Sequence, residues 1–247
     1  LVPETSSWYE DHIGEMLYRA VSGDFIVDAR VESRNRSGTG APGSTSGGAQ
    51  FTEYSLAGLM LRAPRPDVEA GGPAVWTQGG ERYVFLSFGS AHTPGAYELE
   101  VKTTRMAGPG ETHSISVLEV SDADGPTMDL RLARIGPHVI ALRRAAPAPW
   151  QVHRRYLRPD LPAQMYAGIT CYTDWDIAGS YPYFAQNTTL ITHAWMDPMR
   201  AAEPDLRAQV DWVRFRTPQV PAALAGAALS DPGEVSDAQL LEFLGFD

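Results

Sequence analysis

The run Asp174-Trp175-Asp176-Ile177-Ala178-Gly179-Ser180-Tyr181-Pro182-Tyr183-Phe184-Ala185-Gln186-Asn187 concentrates flat rings and short polar side chains in one stretch of chain. Sugars present apolar C–H faces and dense hydroxyl groups. A site for one therefore needs rings to stack on, with carboxylates, amides or guanidinium groups to take the place of water. Asp174, Trp175, Asp176, Tyr181, Tyr183 and Asn187 supply both ingredients, and Gly179, Ser180 and Pro182 mark the run as a loop. Large rings on a loop either fold it onto the body of the protein or contact a ligand, and the residues alone leave both readings open. Trp76 and Tyr83, flanking Gln78-Gly79-Gly80, form a second aromatic pair near a turn and face the same choice.

Candidates for catalysis are fewer. Glu98 and Glu100 alternate with Leu99 and share a strand face with Lys102. Same-face neighbours on a strand lie about 7 Å apart, between the separations that retaining and inverting glycoside hydrolysis require, so this pair is the catalytic candidate, against a solvated sheet face as the plainer reading. A Glu-x-Asp-x-x-Glu run is absent, as are Gly-x-Ser-x-Gly and a Gly-rich phosphate loop followed by Lys. His12, His92, His113, His138, His153 and His193 are dispersed, without metal-ligand spacing, which argues against a transition-metal centre. No cofactor is expected, and calcium is the one ion that the oxygen donors allow, with Asp24 and Asp211 as weak candidates. Asp122-Ala123-Asp124-Gly125 with Asp129 resembles part of a calcium loop but reads better as a turn. Cys171 has no partner for an internal disulfide, and its apolar surroundings in sequence predict a buried, inert thiol.

The formal charge of −10 argues against a phosphate backbone as the principal partner, and no nucleic acid is expected. The adjacent pairs Arg143-Arg144 and Arg154-Arg155 point to opposite faces of a strand and build no basic stripe. No apolar run approaches the length of a membrane span.

The elements that must carry these residues are short and mostly alternating. Phe25, Val27, Ala29 and Val31 share one face while Asp28, Arg30 and Glu32 share the other, and Tyr97, Leu99 and Val101 oppose Glu98, Glu100 and Lys102. Further strands are predicted over 54–62, 83–88, 113–120, 128–135, 138–144, 150–156, 165–172, 190–195 and 209–216. The 37–48 run, without a large apolar residue, is predicted as an unpacked loop. So many strands at short spacing predict an all-β antiparallel sandwich, with residues 1–218 as one domain. Residues 219–247 form a C-terminal extension. There Ser236-Asp237-Ala238-Gln239 fits a capping box, Leu240, Leu241, Phe243 and Leu244 give an apolar face, and Gly245 ends the helix. That short helix needs a partner, either the sandwich or another domain or protein.

In order along residues 17–217, Tyr18-Arg19, Gly23-Asp24-Phe25, Gly58-Leu59-Met60-Leu61-Arg62, Tyr97 to Thr104, the Leu130 to Arg143 hairpin, Trp150, Gly168 and Val210 to Phe215 resemble the concanavalin A-like lectin/glucanase superfamily. The nearest likeness is to LamG-like modules found as accessory domains beside glycoside hydrolases. The resemblance implies a concanavalin A-like jelly roll and a non-catalytic, secreted or periplasmic carbohydrate-recognition domain with a polysaccharide or glycan as partner. Its alternatives are a glycoside hydrolase on the same fold and a laminin-G-like protein-interaction module. It carries over no functional residue, because side chains on the sheet face and rim loops decide among these functions.

Overall fold

The computed structural model describes residues 14–43, 54–72, 75–77, 79–108, 114–172, 182, 184–185 and 205–247. Among these residues, eleven strands form two antiparallel sheets. In chain order they are β1 (Met16–Ser22), β2 (Phe25–Arg34), β3 (Ser55–Arg62), β4 (Tyr83–Ser90), β5 (Glu98–Met106), β6 (Ser114–Asp122), β7 (Thr127–Ile135), β8 (His138–Arg144), β9 (Gln151–Leu157), β10 (Gln164–Tyr172) and β11 (Arg207–Arg216). One sheet runs β1-β10-β3-β4-β5-β6, the other β11-β2-β7-β8-β9. Helix α1 (Pro66–Gly71) begins at Pro66, a proline being tolerated in the first helical turn. Helix α2 (Asp237–Leu244) closes the chain. No helix among the described residues is long and apolar enough to cross a membrane. The predicted 190–195 strand lies outside the described residues.

The predicted alternation holds. Val27, Ala29 and Val31 of β2 meet Leu99 and Val101 of β5 and Ala57, Leu59 and Leu61 of β3 in the layer between the sheets. Cys171 belongs to this layer, and burial, ahead of the nearby Glu15 charge, pushes its thiol up to about 12. Part of the loop expected to have nothing to pack is in fact anchored. Ala41, Pro42 and Gly43 are buried, and Pro42 O accepts from Ser90 Oγ at 2.7 Å and from Gly95 N at 2.9 Å. Backbone groups thus do what side chains could not.

The outer face of the five-stranded sheet is also buried over much of its area. Ile26, Ala133, Ile140, Leu142 and Trp150 pack against Leu224, Leu229, Val235, Leu240, Phe243 and Leu244 of the C-terminal extension. The extension is therefore an outer layer of the sandwich, and the apolar face of α2 is spent on the sheet. The capping box forms as expected, Gln239 N donating to Ser236 Oγ at 3.3 Å and Ser236 N to Gln239 Oε1 at 2.9 Å. Gly245 ends α2 without a left-handed turn. A side chain there would stand 2.5 Å from Leu241 O, so the requirement for glycine is steric.

Beside this apolar layer, Arg131 and Asp28, each 1% exposed, form an ion pair with Nε–Oδ1 at 2.5 Å. Arg216 also donates to Asp28, and Arg131 donates to the carbonyls of Leu244 and Phe246. A buried guanidinium needs this many acceptors to offset lost hydration. Arg144 lies on the same face, bound to Asp129, whereas Arg143 turns to Asp122 O at the rim, the opposite-face arrangement read from sequence. Asp28→Asn should leave Arg131 uncompensated and cost about 3–5 kcal/mol in denaturant unfolding. A loss within the range of surface substitutions would show that the pair does not hold the extension.

Candidate functional site

The outer face of the six-stranded sheet gathers the chemistry. Register sets its rows from edge to edge. Ala20, Tyr166, Arg62, Tyr83, Thr104 and Ser116 form one, and Tyr18, Gly168, Met60, Phe85, Lys102 and Leu118 the next. The third is Met16, Thr170, Gly58, Ser87, Glu100 and Val120. Leu56, Met60, Tyr83 and Phe85 make a buried apolar centre in this face, and polar groups flank it on two sides.

Toward the β1 edge, Tyr18 stands 51% exposed with its ring centroid 4.3 Å from that of Tyr166, tilted by 32°. The two are diagonal neighbours across β1 and β10, because Tyr18 sits opposite Gly168 and Tyr166 opposite Ala20. A side chain at Gly168 would lie 2.0 Å from Leu17 O, so glycine permits the close strand approach and leaves the space beside Tyr18 to its ring. Tyr166 donates its hydroxyl to Glu69 Oε2 at 2.9 Å, and the other Glu69 oxygen accepts from Arg65 N at 3.1 Å. Burial first, then the Glu69 hydrogen bond and charge, push the Tyr166 phenol up to about 12.

Behind this pair lies a buried ionic cluster. Glu81, fully buried, accepts from Arg62 Nη2 at 3.0 Å, Arg65 Nη1 at 2.9 Å and Trp76 Nε1 at 3.2 Å. Arg65 also grips Asp67 through Nε and Nη2, and this hydrogen bonding holds the Asp67 carboxyl below its ordinary value. At Gly80 a Cβ would stand 2.2 Å from Arg65 Nη1, so this glycine gives the guanidinium its path to Glu81.

Trp76 is 5% exposed and Tyr83 0%, so neither presents a ring to solvent, and the packing alternative read from sequence describes them. Trp76 meets the Phe184 ring edge-on at 6.4 Å, which joins the two aromatic groups singled out in the sequence. Asp174, Trp175, Asp176, Tyr181, Tyr183 and Asn187 lie outside the described residues. Trp150 is buried, whereas Trp212 is half-buried on the outer face of the five-stranded sheet, with Arg214 Cζ 4.3 Å from its ring centroid.

The expectation of a solvated face around Glu98, Glu100 and Lys102 is overturned, since all three are buried. Glu98 Oε2 accepts from Ala91 N at 2.8 Å and Thr93 N at 3.0 Å, which makes it the anchor of the turn after β4. Glu100 Oε1 lies 4.0 Å from Lys102 Nζ. Nothing in residue spacing marks Tyr54 and His92 as neighbours. Tyr54 takes φ 60° after donating its N–H to Ala91 O, and its ring meets His92 edge-on at 5.5 Å, with Lys102 Nζ 5.9 Å from the ring centroid. Left-handed backbone at a non-glycine residue costs about 1–3 kcal/mol and clusters at functional sites. The registers of β3 on β4 and of β4 on β5 bring these residues together. A phenol, an imidazole, an ammonium and a carboxylate in one patch can hold or move protons.

The weak calcium pair does not assemble. Asp24 Oδ1 accepts from Gly136 N at 2.8 Å, whereas Asp211 sits at the β11 bulge opposite Val31 and Arg30. That offset along β2 is roughly 20 Å, far beyond the span of one ion. Asp129 is likewise committed, to Arg30 and Arg144. Among the described residues no group of three His, Cys, Asp or Glu side chains could hold a metal.

No family model matches the sequence, and no curated protein matches it. Solved structures do share the fold. A functionally unknown protein from Saccharomyces cerevisiae is 12% identical with a TM-score of 0.52, over 88% of this chain and 85% of that one. An exolytic PL7 alginate lyase from Zobellia galactanivorans is 8% identical with a TM-score of 0.51, over 89% and 83%. A GH43 protein from Bacillus licheniformis is 8% identical with a TM-score of 0.49, and this chain spans 86% of its own length but only 32% of that protein. At these identities the likeness is one of fold.

The raised Tyr166 value stabilises the protonated phenol in the folded protein. Its contribution is therefore complete below about pH 10, the ordinary tyrosine value, and is lost as pH rises through about 12. In alkaline ultraviolet titration, the phenolate component removed by Tyr166→Phe should have a midpoint above that of ordinary tyrosines, and Glu69→Gln should lower it. An unshifted midpoint in the Glu69 variant would break the assigned contact.

Proposed function

We propose that this protein is a carbohydrate-recognition domain of the concanavalin A-like lectin/glucanase type, and that polysaccharide binds across the outer face of the six-stranded sheet at the β1 edge. The observation that carries this reading is the half-exposed Tyr18 ring braced on Tyr166 beside Glu69. A ring held in place by a second ring offers a sugar face a stacking surface at little entropic cost, and neighbouring carboxylate and phenol groups suit hydroxyls. Fold similarity to an alginate lyase, whose name states a polysaccharide substrate, supports the same class of ligand. Such a role goes with a secreted or periplasmic protein.

A second reading, a polysaccharide-degrading enzyme, is favoured by one feature, the left-handed backbone at Tyr54 beside His92 and Lys102. In that reading the Tyr54 phenol and the His92 imidazole exchange protons with the sugar while Lys102 offsets negative charge.

Calorimetric titration with a panel of neutral and acidic polysaccharides, combined with an assay for released sugar ends, separates the two. Recognition predicts binding without release, weakened about tenfold by Tyr18→Ala and kept by Tyr18→Phe, with unfolding unchanged because the side chain is exposed. Release that disappears in Tyr54→Phe would establish the enzyme reading instead. No binding to any member of the panel, or equal binding by Tyr18→Ala, would overturn the proposal.

A further inference from the structure

On the opposite face of the sandwich, the register of β2 and β11 sets Arg207 directly across from Arg34, and Gln209 across from Glu32. Like charges directly opposite in an antiparallel pair repel. Arg34 is satisfied locally, its Nε donating to Glu32 and its Nη1 to Gly38 O at 3.4 Å. Arg207 is exposed and its side chain makes no hydrogen bond or ion pair among the described residues, and the same holds for the side chain of Gln209. Between them is a cavity of 190 Å³ lined by Glu32, Arg34, Gly38, Arg207 and Gln209. Two guanidinium groups and one carboxylate leave this lining with a surplus positive charge in a protein whose net charge is −10.

We propose that this cavity is an oxyanion site, distinct from the aromatic face and independent of what binds there, which takes a carboxylate or sulfate group. An oxyanion between Arg34 and Arg207 would receive charge-assisted hydrogen bonds from both guanidinium groups, and the Gln209 amide adds a neutral donor. It would also relieve the cross-strand repulsion. The cavity is smaller than the pockets that enclose whole ligands, so it holds a substituent. Two sources carry that chemistry, a free anion and an acidic polysaccharide.

The test titrates the full chain with sodium sulfate, galacturonate, polygalacturonate and neutral dextran at constant ionic strength. Wild type should bind the three anionic probes and not dextran through this site. Arg207→Gln should weaken anion binding about tenfold or more, and Glu32→Gln, which removes the competing carboxylate, should tighten it. Arg207→Gln without anion should melt no lower than wild type, because it removes only a repulsive contact. A polymer that binds far more tightly per uronate than the monomer identifies a glycan source, and equal binding identifies a free oxyanion. Unchanged affinity in Arg207→Gln, or no response to any anionic probe, would overturn the site.

Discussion

A strand has two faces, and in this molecule both faces of both sheets are put to use. The inner faces form the layer between the sheets, the C-terminal extension covers much of one outer face, and Leu56, Met60, Tyr83 and Phe85 lie buried on the other. This double burial is the constraint on which the remaining structure depends. Charged residues buried on the outer faces cannot simply hydrate, and several are paired. Asp28 is held by Arg131 and Arg216, Asp129 by Arg30 and Arg144, and Glu81 by Arg62 and Arg65. The first two networks join strands distant in sequence and so tie sheet register to electrostatics, whereas the Glu81 network binds the segment between β3 and β4 to itself.

Against that background, side chains left unburied stand out. Tyr18 is braced from below yet half open, at a sheet edge where Gly168 lets the strands close up. Arg207 faces another arginine and is exposed. The first suits an apolar sugar face and the second a negative substituent. The two lie on opposite faces of the sandwich, so one ligand on each is sterically compatible.

Much of the fold was legible in the sequence because alternation at period two is a local property. Phe25 to Val31 and Leu99 to Val101 declare their inward faces without any knowledge of their neighbours. The capping box at Ser236 and Gln239 was legible for the same reason. What alternation does not declare is whether the second face is wet. Glu98, Glu100 and Lys102 read as a solvated face and are buried, because burial there depends on tertiary cover. Tyr18 with Tyr166, Tyr54 with His92, and Arg34 with Arg207 are all products of register between distant strands, which composition and spacing do not encode. Asp24 and Asp211 failed as a pair for the same reason, since adjacent strands place them far apart along their length.

The proposed carbohydrate face is the outer face of the six-stranded sheet at the β1 edge. Backbone amide chemical shifts followed during titration with a bound oligosaccharide test it most directly. The perturbed amides should cluster at Tyr18, Tyr166, Gly168 and Glu69 and leave the β8 and β9 strands unchanged. Perturbations confined to the five-stranded sheet or the C-terminal extension would contradict it.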